Sequence, residues 1–142
     1  MNDHSLVYPM FAMVLLTFGV LLTLFRARAG FVRSGEVSAS YFKTYQDGAE
    51  PEASAKLSRH FANLFEAPTL FYVACISAMV TGQATGLVEA LAWLYVVLRA
   101  AHAYIHTGAN TLNHRIAVYF SSWAVLLLIW SCIVVGVFVS DA

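Results

Sequence analysis

The chain has 142 residues, of which 60% are hydrophobic and 11% charged, with eight Lys and Arg against eight Asp and Glu. A typical soluble domain is about 45–50% apolar and about 25% charged, so a water-soluble globular fold is excluded. Disorder is excluded by the high hydrophobicity, and the zero net charge leaves no basic surplus that would point to nucleic acid.

The charges fall in clusters separated by apolar stretches. Leu6 to Phe25, Ala67 to Val88, Ala90 to Leu98 and Ile116 to Ser140 carry no charged residue, and apolar character continues past Arg99 to Ile105. A membrane-spanning helix needs about 20 mostly apolar residues. Backbone groups in lipid must pair internally, and no ten-residue alternating strand pattern is present, so the predicted fold is an all-α, integral membrane four-helix bundle forming one domain.

The first predicted helix covers about residues 6–26. Only Asp3 and His4 precede it as ionisable residues, so a positive n-region is lacking, and Arg26, Arg28 and Arg33 follow it, so a retained helix is expected rather than a cleaved signal peptide. Residues 27–50 read as a loop, because Gly30 to Ala49 shows no clear period. Tyr41 and Tyr45 in this loop are candidates to cover a bound cofactor. The second helix is expected over about residues 51–80. Pro51 suits its first turn, and Pro68 is expected to kink it just beyond Glu66. The third helix covers about residues 86–106, with Gly108 as a left-handed stop. The fourth covers about residues 114–139, capped by Thr111 or Asn113. No internal repeat is visible.

Lys and Arg give an orientation. Arg26, Arg28, Arg33, Lys43, Lys56 and Arg59 lie between or beside the first two spans, and Arg99 and Arg115 flank the connection between the last two. The connection from Thr81 to Gly86 and the terminal Ser140-Asp141-Ala142 hold no basic residue. The positive-inside rule then puts both termini on the non-cytoplasmic side.

Ionisable residues within spans are costly and usually face a bundle interior or a cavity. Arg59, Asn63 and Glu66 are spaced i, i+4, i+7, within about 60° of one helix face. Arg99, His102 and His106 form a second stripe on the third helix, and Arg115 opens the fourth. All seven lie towards the cytoplasmic end. Arginine forks match carboxylates, and Glu66 can hold an ammonium, so the set suits a small anion that also carries an amine. An interhelical ion-pair network that only fixes packing uses the same residues. His60, His102, His106 and His114 also lie near this end, but no Cys or HExxH pattern accompanies them and no metal site is expected. Cys75 and Cys132 are expected to be packing residues. Trp93, Tyr95, Trp123 and Trp130 are expected to pack or anchor at interfaces, and Glu89 to lie at the outer interface.

Arg59-x-x-x-Asn63-x-x-Glu66-x-Pro68 resembles the second-helix signature of the MAPEG family, the membrane-associated proteins in eicosanoid and glutathione metabolism. Arg99-x-x-His102-x-x-x-His106, followed by Arg115, is similar to that family's third- and fourth-helix pattern. The resemblance covers essentially the whole chain. It implies a homotrimer that binds glutathione between subunits near the cytoplasmic side. It implies cofactor-binding roles for Arg59, Asn63, Glu66, Arg99 and His102, and catalytic roles for Arg115, facing the glutathione sulfur, and His106. Several family synthases have tyrosine at the position of His106. Arg26 or Arg28 matches a first-loop arginine used by some members. The implied activity is glutathione-dependent conjugation, reduction or isomerisation of a lipophilic electrophile or peroxide. A catalytically silent lipid-binding or scaffolding member is the alternative. A small multidrug transporter is a third reading, but such proteins resemble each other in a first-helix glutamate, and Leu6 to Phe25 has no acid. The short chain without an organelle signal suggests a bacterial inner membrane.

Overall fold

The computed structural model describes residues 4–45, 48–108 and 111–140. Asp3, Asp141 and Ala142, and residues 46–47 of the expected loop, lie outside the described residues. The elements in chain order are α1 (Val7–Arg33), α2 (Tyr41–Thr44), α3 (Glu52–Asn63), α4 (Ala67–Val80), α5 (Gly86–Thr107) and α6 (Leu112–Ser140). The described residues are mostly helical, with no strand among them. Four stretches are long and apolar enough to cross a membrane: Val7–Arg33, Glu52–Val80, Gly86–Thr107 and Leu112–Ser140. The all-α four-span architecture is therefore present.

α1 buries only a narrow seam, Pro9, Met13, Val20 and Leu24, and leaves large side chains such as Phe11, Phe18 and Phe25 exposed. That distribution suits lipid rather than water on the outer face. Its threonine hydroxyls are satisfied within the helix: Thr17 Oγ1 donates to the Met13 carbonyl at 2.9 Å and Thr23 Oγ1 to the Gly19 carbonyl at 2.8 Å. α5 and α6 pack along each other, and α1 lies against α3, α4 and α5. At the bundle centre Phe71 and Tyr95 stack with ring centroids 4.5 Å apart, and Met13, Leu126 and Ile129 are fully or almost fully buried.

Three expectations need correction. The first helix does not end near residue 26 but continues to Arg33, and residues 41–44 form a single helical turn, so residues 27–50 are not all loop. Charged residues end an apolar stretch without ending a helix, and Arg26 to Arg33 contains good helix formers. Within the added turns of the helix, Arg28 donates to Glu50 from Nε at 3.2 Å and Nη2 at 3.1 Å, and Nη2 also donates to Ser58 Oγ at 3.2 Å. Ser54 donates to the same Glu50 oxygen, and Arg28 lies 4.9 Å from the Phe42 ring centroid and 5.6 Å from that of Tyr45. This network ties the end of α1 to α2 and the start of α3.

The second expected helix is divided. α3 stops at Asn63 and α4 starts at Ala67, so the interruption precedes Pro68 rather than following Glu66. Pro68 has no N–H to offer the Leu64 carbonyl, and its ring disfavours continuous helix through the preceding turn. Leu64, Phe65 and Glu66 instead donate three residues back, to Phe61, Ala62 and Asn63 at 3.1, 3.0 and 3.4 Å. The Phe65 carbonyl accepts from Thr69 Oγ1 at 2.6 Å. Polar groups inside the apolar span thus keep partners across the break.

Gly108 ends α5, its N–H donating to the Tyr104 carbonyl at 3.0 Å, but at φ −91° rather than in the left-handed region. Glycine relieves crowding here: a Cβ would lie 3.0 Å from the Tyr104 carbonyl oxygen, a tight contact. At the other end of α5, Thr85 accepts from the Val88 N–H at 3.3 Å and caps the helix. Thr111 immediately precedes α6 and its carbonyl accepts from the Arg115 N–H at 3.0 Å, whereas Asn113 lies inside the first turn.

Candidate functional site

The C-terminal end of α3, the C-terminal end of α5 and the N-terminal end of α6 meet at one end of the bundle. Between them lies a cavity of about 250 Å³ lined by Arg59, Asn63, His102, His106, Arg115, Ile116 and Tyr119. Five of the seven residues singled out in the sequence therefore share one wall. Arg59 is exposed, Arg115 and His106 are half-buried, and His102 is buried.

Arg99 and Glu66 stand apart from that wall. Arg99 is fully buried, with 0% exposure, behind Asn63. Its Nη2 donates to Asn63 Oδ1 at 2.6 Å and to the Asn63 carbonyl at 3.4 Å. Asn63 Nδ2 in turn donates to Glu66 Oε2 at 3.3 Å. Glu66 is exposed, at the interruption between α3 and α4. A chain of hydrogen bonds thus runs from a buried guanidinium through an amide to an exposed carboxylate. It fixes which way the Asn63 amide points, because an arginine can only donate and a carboxylate can only accept.

His60 is the residue that the stripe arithmetic passed over. It follows Arg59 by one position, about 100° around the helix from it. α3 buries Ser54, Leu57 and His60 on its inner side while Arg59 stays exposed. The His60 ring lies 5.3 Å from that of His102 and 4.8 Å from that of His106, measured between centroids. His102 and His106 are 5.6 Å apart, and His102 is 5.7 Å from Tyr119. Tyr119 and Ile116 were also missed. Tyr119 follows Arg115 by four positions and so shares its helix face, a spacing that identifies it without coordinates. Among the described residues no group of three His, Cys, Asp or Glu side chains is arranged to hold a metal ion.

The first-loop residues lie elsewhere. Arg28 is held by Glu50, Ser58, Phe42 and Tyr45. Tyr45 covers Arg28, and Tyr41 packs edge-on to Phe42 and Tyr45, with centroids 5.3 and 5.8 Å apart. Arg26 is exposed on α1. Cys75 is buried and Cys132 half-buried, and both are free thiols.

The site combines cations, an amide held in one orientation and imidazole rings around a small open cavity at one end of an apolar bundle. Such a set can hold a polar anion while the surrounding spans contact lipid. The chain matches no curated protein and no solved structure. A family model described as the MAPEG family matches residues 6–135. Members of that family generally use glutathione, in membrane transferase, peroxidase or related functions. The match covers the greater part of the sequence and reaches all four membrane-spanning stretches, and the chain therefore belongs to the MAPEG family.

Proposed function

We propose that the protein is a glutathione-dependent membrane enzyme that conjugates, reduces or isomerises a lipophilic electrophile or peroxide. The observation that carries this reading is the meeting of Arg59, Asn63, His102, His106 and Arg115 around one cavity. Glutathione supplies a nucleophilic thiol, two carboxylates and an ammonium group. Arg59 pairs with a carboxylate through its planar fork. Asn63 offers an amide held in one orientation by Arg99 and Glu66. Glu66, exposed beside it, receives the ammonium, and His102 adds a ring nitrogen to the bound peptide. Arg99 contributes through Asn63 and not by direct contact.

Arg115 carries the chemistry. A free thiol has a pKa of about 8.5 and is mostly protonated at neutral pH, and a neighbouring cation lowers that value. A guanidinium does not give up its own proton, so Arg115 acts as a fixed positive charge that favours the thiolate. The released proton leaves through the exposed side of the cavity. His106 donates a hydrogen bond to the sulfur or to the oxygen that develops charge as the lipophilic partner reacts. That partner arrives from the bilayer, and glutathione from the cytoplasm. In this reading the cavity faces the cytoplasm, both termini face the other side, and the protein is a homotrimer.

The test is Arg115→Ala beside Arg115→Lys in detergent-purified protein. Arg115→Ala is expected to lose most thiolate absorbance at saturating glutathione and to cut conjugation or peroxidase turnover by about 100-fold, the usual scale for one electrostatic contact in a reacting site. Arg115→Lys is expected to keep part of both. Full thiolate and full turnover in Arg115→Ala would refute the assignment.

A further inference from the structure

We propose that His60 is a positioning residue that sets the hydrogen-bonding state of His102 and His106, so that each presents one defined tautomer to the cavity. The significance of those two imidazoles for glutathione rests on the function proposed above. The positioning itself does not.

His60 is 0% exposed and His102 only 3%. Both nitrogens of His60, Nδ1 of His102 and Nδ1 of His106 are buried and have no hydrogen-bond partner within the chain. Four unpaired nitrogens on three neighbouring rings are an unusual concentration, because buried polar atoms are nearly always paired. If the only role of His60 were to fill space between α3 and α5, a phenyl ring would fill it without that desolvation cost. The nitrogens are therefore the informative part of the side chain.

Geometry says what they act on. His60 is central to the cluster, with centroid separations of 4.8 Å to His106 and 5.3 Å to His102. At such separations ring nitrogens pair through one bridging water or after a small rotation. Among the neighbours, Arg99, one turn before His102, can only donate: its Nη2 is engaged with Asn63 and its buried Nε and Nη1 have no partner among the described residues, so it can offer a ring nitrogen a donor but never an acceptor. Tyr119 contacts His102 from the cavity side.

A neutral imidazole has one donor and one acceptor nitrogen, and the partner of one nitrogen decides what the other can do. His102 and His106 both line the cavity, whereas His60 does not. By engaging their buried Nδ1 atoms, His60 fixes whether each offers a donor or an acceptor to a bound molecule. It does so without touching that molecule.

The test uses nitrogen NMR of full-length, histidine-labelled protein in lipid, with His60→Phe and His60→Gln. Phenylalanine keeps the ring volume and removes both nitrogens. Glutamine keeps one donor and one acceptor. In the wild type, His102 and His106 are each expected in a single tautomer. His60→Phe is expected to turn both into tautomer mixtures while its thermal midpoint holds or rises. His60→Gln is expected to restore a single tautomer at one or both. Glutathione-dependent turnover should fall in His60→Phe, by up to about 100-fold, the scale on which misplaced groups lose rate.

Unchanged His102 and His106 spectra in His60→Phe would overturn the proposal, as would the same mixed pattern in His60→Gln. If His60→Phe does not fold, the His60→Gln spectrum decides: a single tautomer upholds the proposal and a mixture overturns it. The spectral response combined with a wild type that never turns over glutathione would sink the glutathione reading and leave the positioning role standing. Turnover with unresponsive spectra would do the reverse.

Discussion

Arg99 on α5 donates to the side-chain oxygen of Asn63 on α3 at 2.6 Å, joining two residues 36 positions apart through a guanidinium that has no exposed surface. Its Nε and Nη1 have no partner among the described residues, so the two Asn63 oxygens that accept from Nη2 compensate that buried charge. The same contact aims Asn63 Nδ2 at Glu66, so it couples the bundle interior to the site.

Asn63→Ala is accordingly expected to destabilise the protein by about 1.5–3 kcal/mol, the range for a lost hydrogen bond to a charged group. Arg99→Met should cost less, because an apolar side chain of similar length removes the buried charge together with its partner's role. The double variant should be closer to Arg99→Met than to the sum of the two. Unfolding measured in the same detergent for all four proteins checks this, and strict additivity would mean that the contact is energetically idle.

Pro68→Ala restores the missing N–H to the second span. The Leu64 carbonyl then gains a helical donor, and the segment from Leu64 to Glu66 can join α3 to α4. The expected outcome is equal or greater thermal stability with weaker glutathione binding, because Asn63 and Glu66 move when the interruption closes. Parallel thermal and binding measurements check it. Unchanged binding would show that the interruption does not set the site.

Arg28→Gln removes the ion pair with Glu50 and the ring contacts with Phe42 and Tyr45. The pair is partly exposed, so the stability loss should be small, about 1 kcal/mol or less, and smaller still in high salt. The larger consequence is local. Limited proteolysis should cut faster between Arg33 and Pro51, with glutathione binding unaffected, because none of these residues lines the cavity.

Gly136→Ala is a test of close packing at the opposite end of the bundle. A Cβ at Gly136 would collide with Gln83 Oε1, and Gln83 Nε2 donates to Ser140 Oγ at 3.2 Å. The added methyl displaces the Gln83 side chain and breaks that bond, at a cost of about 1 kcal/mol. Adding Gln83→Ala removes the obstruction, so the double variant should be at least as stable as Gln83→Ala alone, since alanine favours a helix interior over glycine. Thermal midpoints of the three variants decide the matter.

The spans were legible in the sequence because charge-free stretches of membrane length admit few other structures. The meeting of Arg59, Asn63, His102, His106 and Arg115 was legible because helical periodicity puts each set on one face. Two kinds of information were not. Where a helix ends in water depends on partners beyond the apolar stretch, and Glu50 and Ser58 hold Arg28 from more than twenty positions away. Which neighbour of a polar stripe turns inward depends on how α3 is rotated against α5, and periodicity alone does not say that His60 turns inward beside the stripe. Arg99 lies between the two cases: its stripe was visible, but its burial behind Asn63 follows from the packing of α5 on α3.

The central claim is that the cavity around Arg115 binds glutathione and holds its sulfur as a thiolate. The most direct measurement is titration of detergent-purified wild-type protein with glutathione at neutral pH, following thiolate absorbance and thermal midpoint in the same samples. The account predicts that both rise together and saturate by millimolar glutathione, with the S-methyl derivative raising only the midpoint. No change in either signal at millimolar glutathione would contradict it.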